Sequence, residues 1–322
     1  MNRLRILQTA GTLTAAILLA ACTQDGLTEG TAQDLPDGMY PVILSATGLE
    51  ISAATRATAD GTWNQGDEVA IQIGSDVKKY TANSSGTSTM LSAADGVTPF
   101  YWQKTNEVKN VSAWYLGTGY NATLPTTWDV QTNQNSNNGY QKSDFLYAPP
   151  TVIDFSGPKS LTFYHQTAKV VVNIRKYGVA SDANKISSVT IRAIKEGTFI
   201  TPLTNNYGLS PKSTETPWGI TPFKLSNPNT NVVFENEKSG ETALASYQAL
   251  VIPQTLSSSN VIEINIDGYN TFKYTPTGSS WAGGTQYTYN LTIDGKKVTA
   301  TVTTDDIRWT NGSSGSGSVE IE

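Results

Sequence analysis

The 322-residue chain predicts an all-β protein made of two tandem β-sandwich domains. Three observations lead there. Short runs alternate apolar and polar side chains, the period of a half-buried strand. Turn residues separate those runs, with 27 Gly and abundant Ser, Thr and Asn. Outside one apolar stretch at the start, no segment longer than a few turns has helical periodicity. Regularly spaced strands without intervening helices make sandwiches. At roughly 100–200 residues per domain, the length accommodates two.

Composition removes several function classes. The net charge of −5 leaves no basic footprint for nucleic acid. One Cys excludes an intrachain disulfide. With one His besides, the usual zinc sites and Ser-His-Asp or Cys-His arrangements are almost ruled out, because they draw repeatedly on both residues. No metal, cofactor or catalytic group is expected.

Residues 1–21 have the form of a secretory signal: Arg3 and Arg5, then an apolar run strongest at Leu13–Ala21. The run ends in Leu19-Ala20-Ala21-Cys22, which matches the bacterial lipobox. The chemistry this implies is diacylation of the Cys22 thiol, cleavage before Cys22 and acylation of the new amine. Several acyl chains anchor stably to the outer membrane where one does not. Residues 22–36 are polar and Gly-containing and read as a tether.

The first domain is expected over 37–157. It opens with a strand at Tyr40–Thr47, whose apolar face carries Tyr40, Val42, Leu44 and Ala46. Pro41 cannot donate to a ladder, so the strand starts there or lies at an edge. Arg56 is the first basic residue after Cys22, directly downstream of that strand. Further strands are expected at Asp67–Gly74, Lys78–Ala82, Thr89–Ala93, Pro99–Trp102, Lys109–Leu116 and Asp144–Ala148. Gly117–Gln141 reads as a long loop, of the kind associated with function or mobility.

The second domain is expected over 158–322. Leu161–Arg175, LTFYHQTAKVVVNIR, alternates on both sides of Gln166-Thr167, where a bulge is expected. Strands follow at Lys185–Lys195, Gly197–Thr201, Val232–Glu235, Ser246–Ile252, Asn260–Ile266, Asn270–Thr275, Gln286–Ile293 and Lys297–Thr303. Asp294-Gly295 is a hairpin signal between the last two. A Gly/Ser run at Thr310–Gly317 then delivers Ser318–Glu322, where Val319 and Ile321 alternate with glutamates.

Several single residues weigh against chemistry. His165 lies among apolar strand residues and reads as a satisfied, partly buried histidine. Asp305-Asp306 would point to opposite faces of a strand and reads as solvated. Asn133–Gly139 lacks the spaced acids of a calcium loop. Trp114 reads as core, whereas Trp128, Trp218 and Trp281 lie in turn-rich stretches and are candidates for exposure and sugar stacking.

Taken together, these motifs resemble the fimbrillins, the type V pilins of Bacteroidales and their Mfa-like relatives. The resemblance is carried by the lipobox, Thr55-Arg56-Ala57-Thr58, Trp63 with Gly66-Asp67 before VAIQI, DFLYA, LTFYHQTAKVVVNI, VIPQT and GTQYTYNL. It implies two transthyretin-like sandwiches and a role as a structural or adhesive subunit of surface fimbriae. It also implies a lipoprotein precursor cut at Arg56–Ala57 by a trypsin-like protease. The vacated groove would then take a strand from another subunit. Either Lys297–Thr303 or Ser318–Glu322 is the candidate donor. At ~1.5–3 kcal/mol per buried side chain, such a slot is worth several kcal/mol before hydrogen bonds. The alternative is a solitary outer-membrane lipoprotein that binds glycans through exposed aromatics.

Overall fold

The structure, a computed structural model, describes residues 33–47, 58–213, 216–235, 237–269, 271–276, 280–294, 297–303 and 319–321. Cys22, Arg56, Ala57, Asp305 and Asp306 lie outside them.

The chain begins with β1 (Leu44–Thr47), β2 (Glu68–Ile73), β3 (Asp76–Ala82), β4 (Thr89–Ala93) and β5 (Val108–Leu116). Next come β6 (Thr127–Asp129), the one-turn helix α1 (Gly139–Lys142) and β7 (Phe145–Asp154). β8 (Ser160–Thr162), β9 (Tyr164–His165) and β10 (Ala168–Ile174) carry it into the second half. There follow β11 (Ile186–Ala193), β12 (Glu196–Thr204), β13 (Tyr207–Pro211), β14 (Trp218–Ile220) and β15 (Phe223–Lys224). The next group is β16 (Ala245–Val251), β17 (Gln254–Thr255), β18 (Ile262–Ile266) and β19 (Phe272–Tyr274). The last is β20 (Ser280–Trp281), β21 (Gln286–Asp294), β22 (Lys297–Thr303) and β23 (Val319–Ile321).

The all-β expectation holds. The first half forms one eight-stranded sheet in the order β8-β1-β4-β3-β2-β5-β7-β9. Its two outermost strands are separated in sequence by Phe163 alone, and β7 also touches β8. The sheet therefore curls until its ends meet on one run, Ser160–His165. This pairing carries the first sheet past residue 157. Its core includes Val42, Leu44, Trp63, Ile71, Tyr80, Leu146 and Phe163.

The second half packs two five-stranded sheets, β15-β16-β10-β21-β22 and β14-β11-β18-β19-β23. β10 sits between antiparallel β16 and parallel β21. Its alternation puts Val170, Val172 and Ile174 into the sandwich core. Lys169, Val171 and Asn173 take the opposite face, yet they are buried as well. The first half covers that face at Lys169, through Ala59 and Asp60, while the second half's own Asn229 and Ser246 cover it at Asn173. The larger core also takes in Ala70, Trp114, Leu116, Phe145 and Tyr147, so the two halves meet over a packed surface.

Several details differ from expectation. Gly117–Gln141 is not a free loop. β6 within it pairs with β12, and the Gln134 side-chain amide bonds the Leu250 backbone in both directions, at 2.7 and 2.9 Å. A Cβ on Gly139 would lie 2.1 Å from the Asn133 carbonyl oxygen, so this path needs glycine there. Pro99–Trp102 and Val232–Glu235 contribute isolated bridges instead of ladders. β7 runs through Pro149 and Pro150, opposite a bulge between Val111 and Ala113 where no donor is needed. The Asp294 hairpin closes as expected, pairing Asp294 with Lys297. A second tight hairpin joins β12 to β13 with Asn205 and Asn206 at φ 50° and 70°, the type I′ conformation that Asn tolerates.

Candidate functional site

The site of interest is the slot filled by the N-terminal arm, residues 33–47. Upstream of β1 the arm follows residues 100–105. The Leu35 amide donates to the Gln103 carbonyl at 2.8 Å, Val42 to Phe100 at 2.7 Å, and Trp102 to Tyr40 at 2.9 Å. Pro41 lacks a donor and makes a bridge to Tyr101. β1 then enters the sheet proper. It pairs antiparallel with β4, Leu44 opposite Leu91, and parallel with β8, Ala46 opposite Leu161. It is therefore not an outer edge. The adjoining backbone completes the second ladder: the Ser45 amide donates to Lys159 and the Phe163 amide to Thr47.

Side chains alternate along the arm. Val42, Leu44 and Ala46 are no more than 1% exposed, whereas Ile43 is 41% exposed. Tyr40 is half-buried and meets Phe155 edge-on at 5.7 Å. The Tyr80 hydroxyl donates to the Val42 carbonyl at 3.2 Å and accepts from the Phe100 amide. Burial raises the Tyr80 pKa, so it remains a donor at neutral pH. Three apolar side chains and two ladders thus hold a segment joined to the rest through residues 48–57. Removing it would part β4 from β8 and leave unpaired donors and acceptors beside an apolar floor, a template for another strand.

The described chain resumes at a 3-10 turn, Thr58–Asp60. Its carboxylate is the centre of a polar cluster that sequence reading missed. Asp60 Oδ1 accepts from Lys169 Nζ at 2.8 Å, Gln248 Nε2 at 3.0 Å and the Tyr140 hydroxyl at 3.1 Å. The three donors come from β10, β16 and α1. All four residues are at most 5% exposed. The Tyr140 pKa is pushed well above its ordinary value, first by burial and then by the Asp60 charge. The only sequence signal was a Lys inside an apolar strand, and its partner lies 109 positions away.

The other expected residues fall as follows. His165 is buried, with Nδ1 2.9 Å from Asp144 Oδ1, so it is satisfied as read. Trp114 is core. Trp128 and Trp281 are corrections: both are buried, because their indole N–H groups find internal acceptors, Ser143 O at 3.0 Å and Tyr289 Oη at 2.8 Å. Of the three tryptophans expected at the surface, only Trp218 is there, 49% exposed beside Lys195. The C-terminal strand β23 pairs antiparallel with β19, Phe272 opposite Ile321.

The chain resembles solved structures in fold. A proposed cell adhesion protein of Bacteroides uniformis shares 20% identity at a TM-score of 0.60, covering 86% of this chain and 100% of its own. A proposed cell adhesion protein of Bacteroides ovatus shares 16% at 0.54, covering 83% and 96%. No curated protein matches the chain. A fimbrillin-like family model matches residues 55–307, most of the sequence. The chain belongs to the fimbrillin-like family.

Proposed function

We propose that this chain is a structural or adhesive subunit of surface fimbriae, assembled by replacing its N-terminal arm with a strand from a neighbour. The observation that carries the reading is β1, a short strand ladder-bonded on both sides with Leu44 and Ala46 fully buried beneath it. Such a strand leaves an apolar, hydrogen-bonding slot when it goes. Family membership supports the fimbrial role, and the adhesion proteins of similar fold agree with it. A fimbrillin-like family also agrees with the expectation of a non-enzymatic chain.

In this reading Cys22 carries the lipid that holds the precursor at the outer membrane, and a trypsin-like protease cuts at Arg56–Ala57. The arm keeps the slot dry during export. Incoming β-strands come from other fimbrial subunits. The C-terminal segments 297–303 and 318–322 remain the candidate donors. Burial of Trp128 and Trp281 takes two tryptophans from the glycan-binding alternative, which keeps Trp218 and the exposed Tyr177 and Tyr269.

The test is protease treatment of purified precursor, followed by SDS electrophoresis without heating. Wild type should form ladders after trimming. Arg56→Ala should stay folded and monomeric. Ladders from Arg56→Ala, or none from trimmed wild type, would contradict the assembly mechanism.

A further inference from the structure

Residues 58–60 belong by sequence to the first half, but they are fastened to the second. Lys169 and Gln248 lie on one face of the β10–β16 pair, the face turned away from that sandwich's own core. Both donate to Asp60 Oδ1, and Tyr140 adds a third donor from α1. The Ala59 carbonyl accepts from Lys169 Nζ at 3.4 Å and lies 3.2 Å from the Tyr140 hydroxyl. Ala59 itself is fully buried against Tyr140 and Leu250. A buried carboxylate is tolerated only with such partners, and a buried lysine likewise. Nothing about sheet pairing requires this arrangement, since residues 58–60 form a 3-10 turn and the next pairing is the isolated bridge of Trp63 with Gly86.

We infer that Asp60 is the fixed stop of the removable arm, a positioning residue that keeps the retained end of the chain docked on the second sandwich. Upstream, the arm's contacts are the exchangeable ladders and apolar side chains of residues 33–47. Everything from Thr58 onward stays, because detaching Asp60 would strand the Lys169 ammonium in the interior without its counter-charge. The inference builds on the arm-removal reading for its purpose, although the docking itself is independent of it. The stop gives the trimmed subunit one defined end and keeps the segment after the cut out of the vacated slot.

The experiment is digestion of the full chain with a non-specific protease, proteinase K, and intact-mass measurement of the trimmed product. Wild type should resist beyond residue 58. Asp60→Ala should move the limit downstream, towards Trp63. Asp60→Ala combined with Lys169→Met removes both charges and should recover most of the melting temperature, yet keep the displaced limit. A merely structural ion pair would restore both. The idea is overturned if the double variant trims at the wild-type position, or if wild type is trimmed past Asp60 while the rest stays intact. Proteinase K does not need Arg56. Failure of Arg56→Ala to block assembly would thus sink the strand-exchange reading and leave this result standing.

Discussion

β1 and β10 both sit between two neighbours, but they are held in different ways. β10 spans seven residues, all buried, because its outer face is covered by the first half at Lys169 and by the second half's own Asn229 and Ser246 at Asn173. β1 spans four residues with buried and half-buried positions alternating. It pairs three residues with each neighbour, whereas β10 pairs seven with β16 and six with β21. A strand buried on both faces organises its domain. A short strand covered on one face fills a slot and is the kind that can be exchanged. The difference is one of burial, ladder length and composition, since β1 is Leu-Ser-Ala-Thr and β10 carries five apolar residues in seven.

The sharpest way to break this contrast is to attack the buried face of β10. Lys169→Ala leaves the Asp60 carboxylate without its cation, at a cost of about 3–5 kcal/mol, read as a lower midpoint in urea. Lys169→Met combined with Asp60→Ala should cost much less. Next in size is Leu44→Ala in the arm, expected to cost about 2–5 kcal/mol in the intact chain, with the cavity as its cause. The same substitution should change nothing once the arm has been cut away and washed off. An equal effect on both forms would mean that the arm never leaves.

A smaller effect comes from Asp67. Its pKa is raised to about 6, chiefly by burial, with the charge of Asp144 adding to it. A carboxyl held above its ordinary value favours the folded state while protonated. That contribution is complete at low pH and is lost as pH rises through about 6. Asp67→Asn should therefore melt higher than wild type at pH 7.5, with the gap closing near pH 4, since the amide oxygen can still accept from the Asn64 amide. A gap independent of pH would refute this. Smallest of all, Trp218→Ala should cost about 1 kcal/mol, because half of the residue already faces solvent.

Alternation was enough to find the strands that carry large side chains. Of the strand expected at Tyr40–Thr47 only Leu44–Thr47 joins a ladder, but the alternation holds beyond it, with Val42, Leu44 and Ala46 inward and Ile43 outward. The loss of register at Gln166-Thr167 was legible but its nature was not: in place of the expected bulge, the chain passes from β9 in one sheet to β10 in another. β6, β13 and β14 escaped notice because they are short and set among Thr, Asn, Ser, Gly and Pro. The tryptophans were misplaced because turn-rich surroundings suggest solvent, while the indole N–H needs only one internal acceptor to be buried. The Asp60 cluster was out of reach for a different reason. Alternation sends Lys169 to the polar face of β10, and only the tertiary contact between halves shows that this face is dry.

The central claim is that the arm is a replaceable strand. Peptide exchange tests it most directly. Precursor is trimmed with trypsin, freed of its arm, and incubated with a fluorescent peptide covering residues 33–47. The account predicts saturable, slowly reversible binding that raises the melting temperature, and loss of that binding when Leu44 in the peptide is replaced by Asp. A trimmed protein that ignores the peptide, or binds both versions alike, would contradict it.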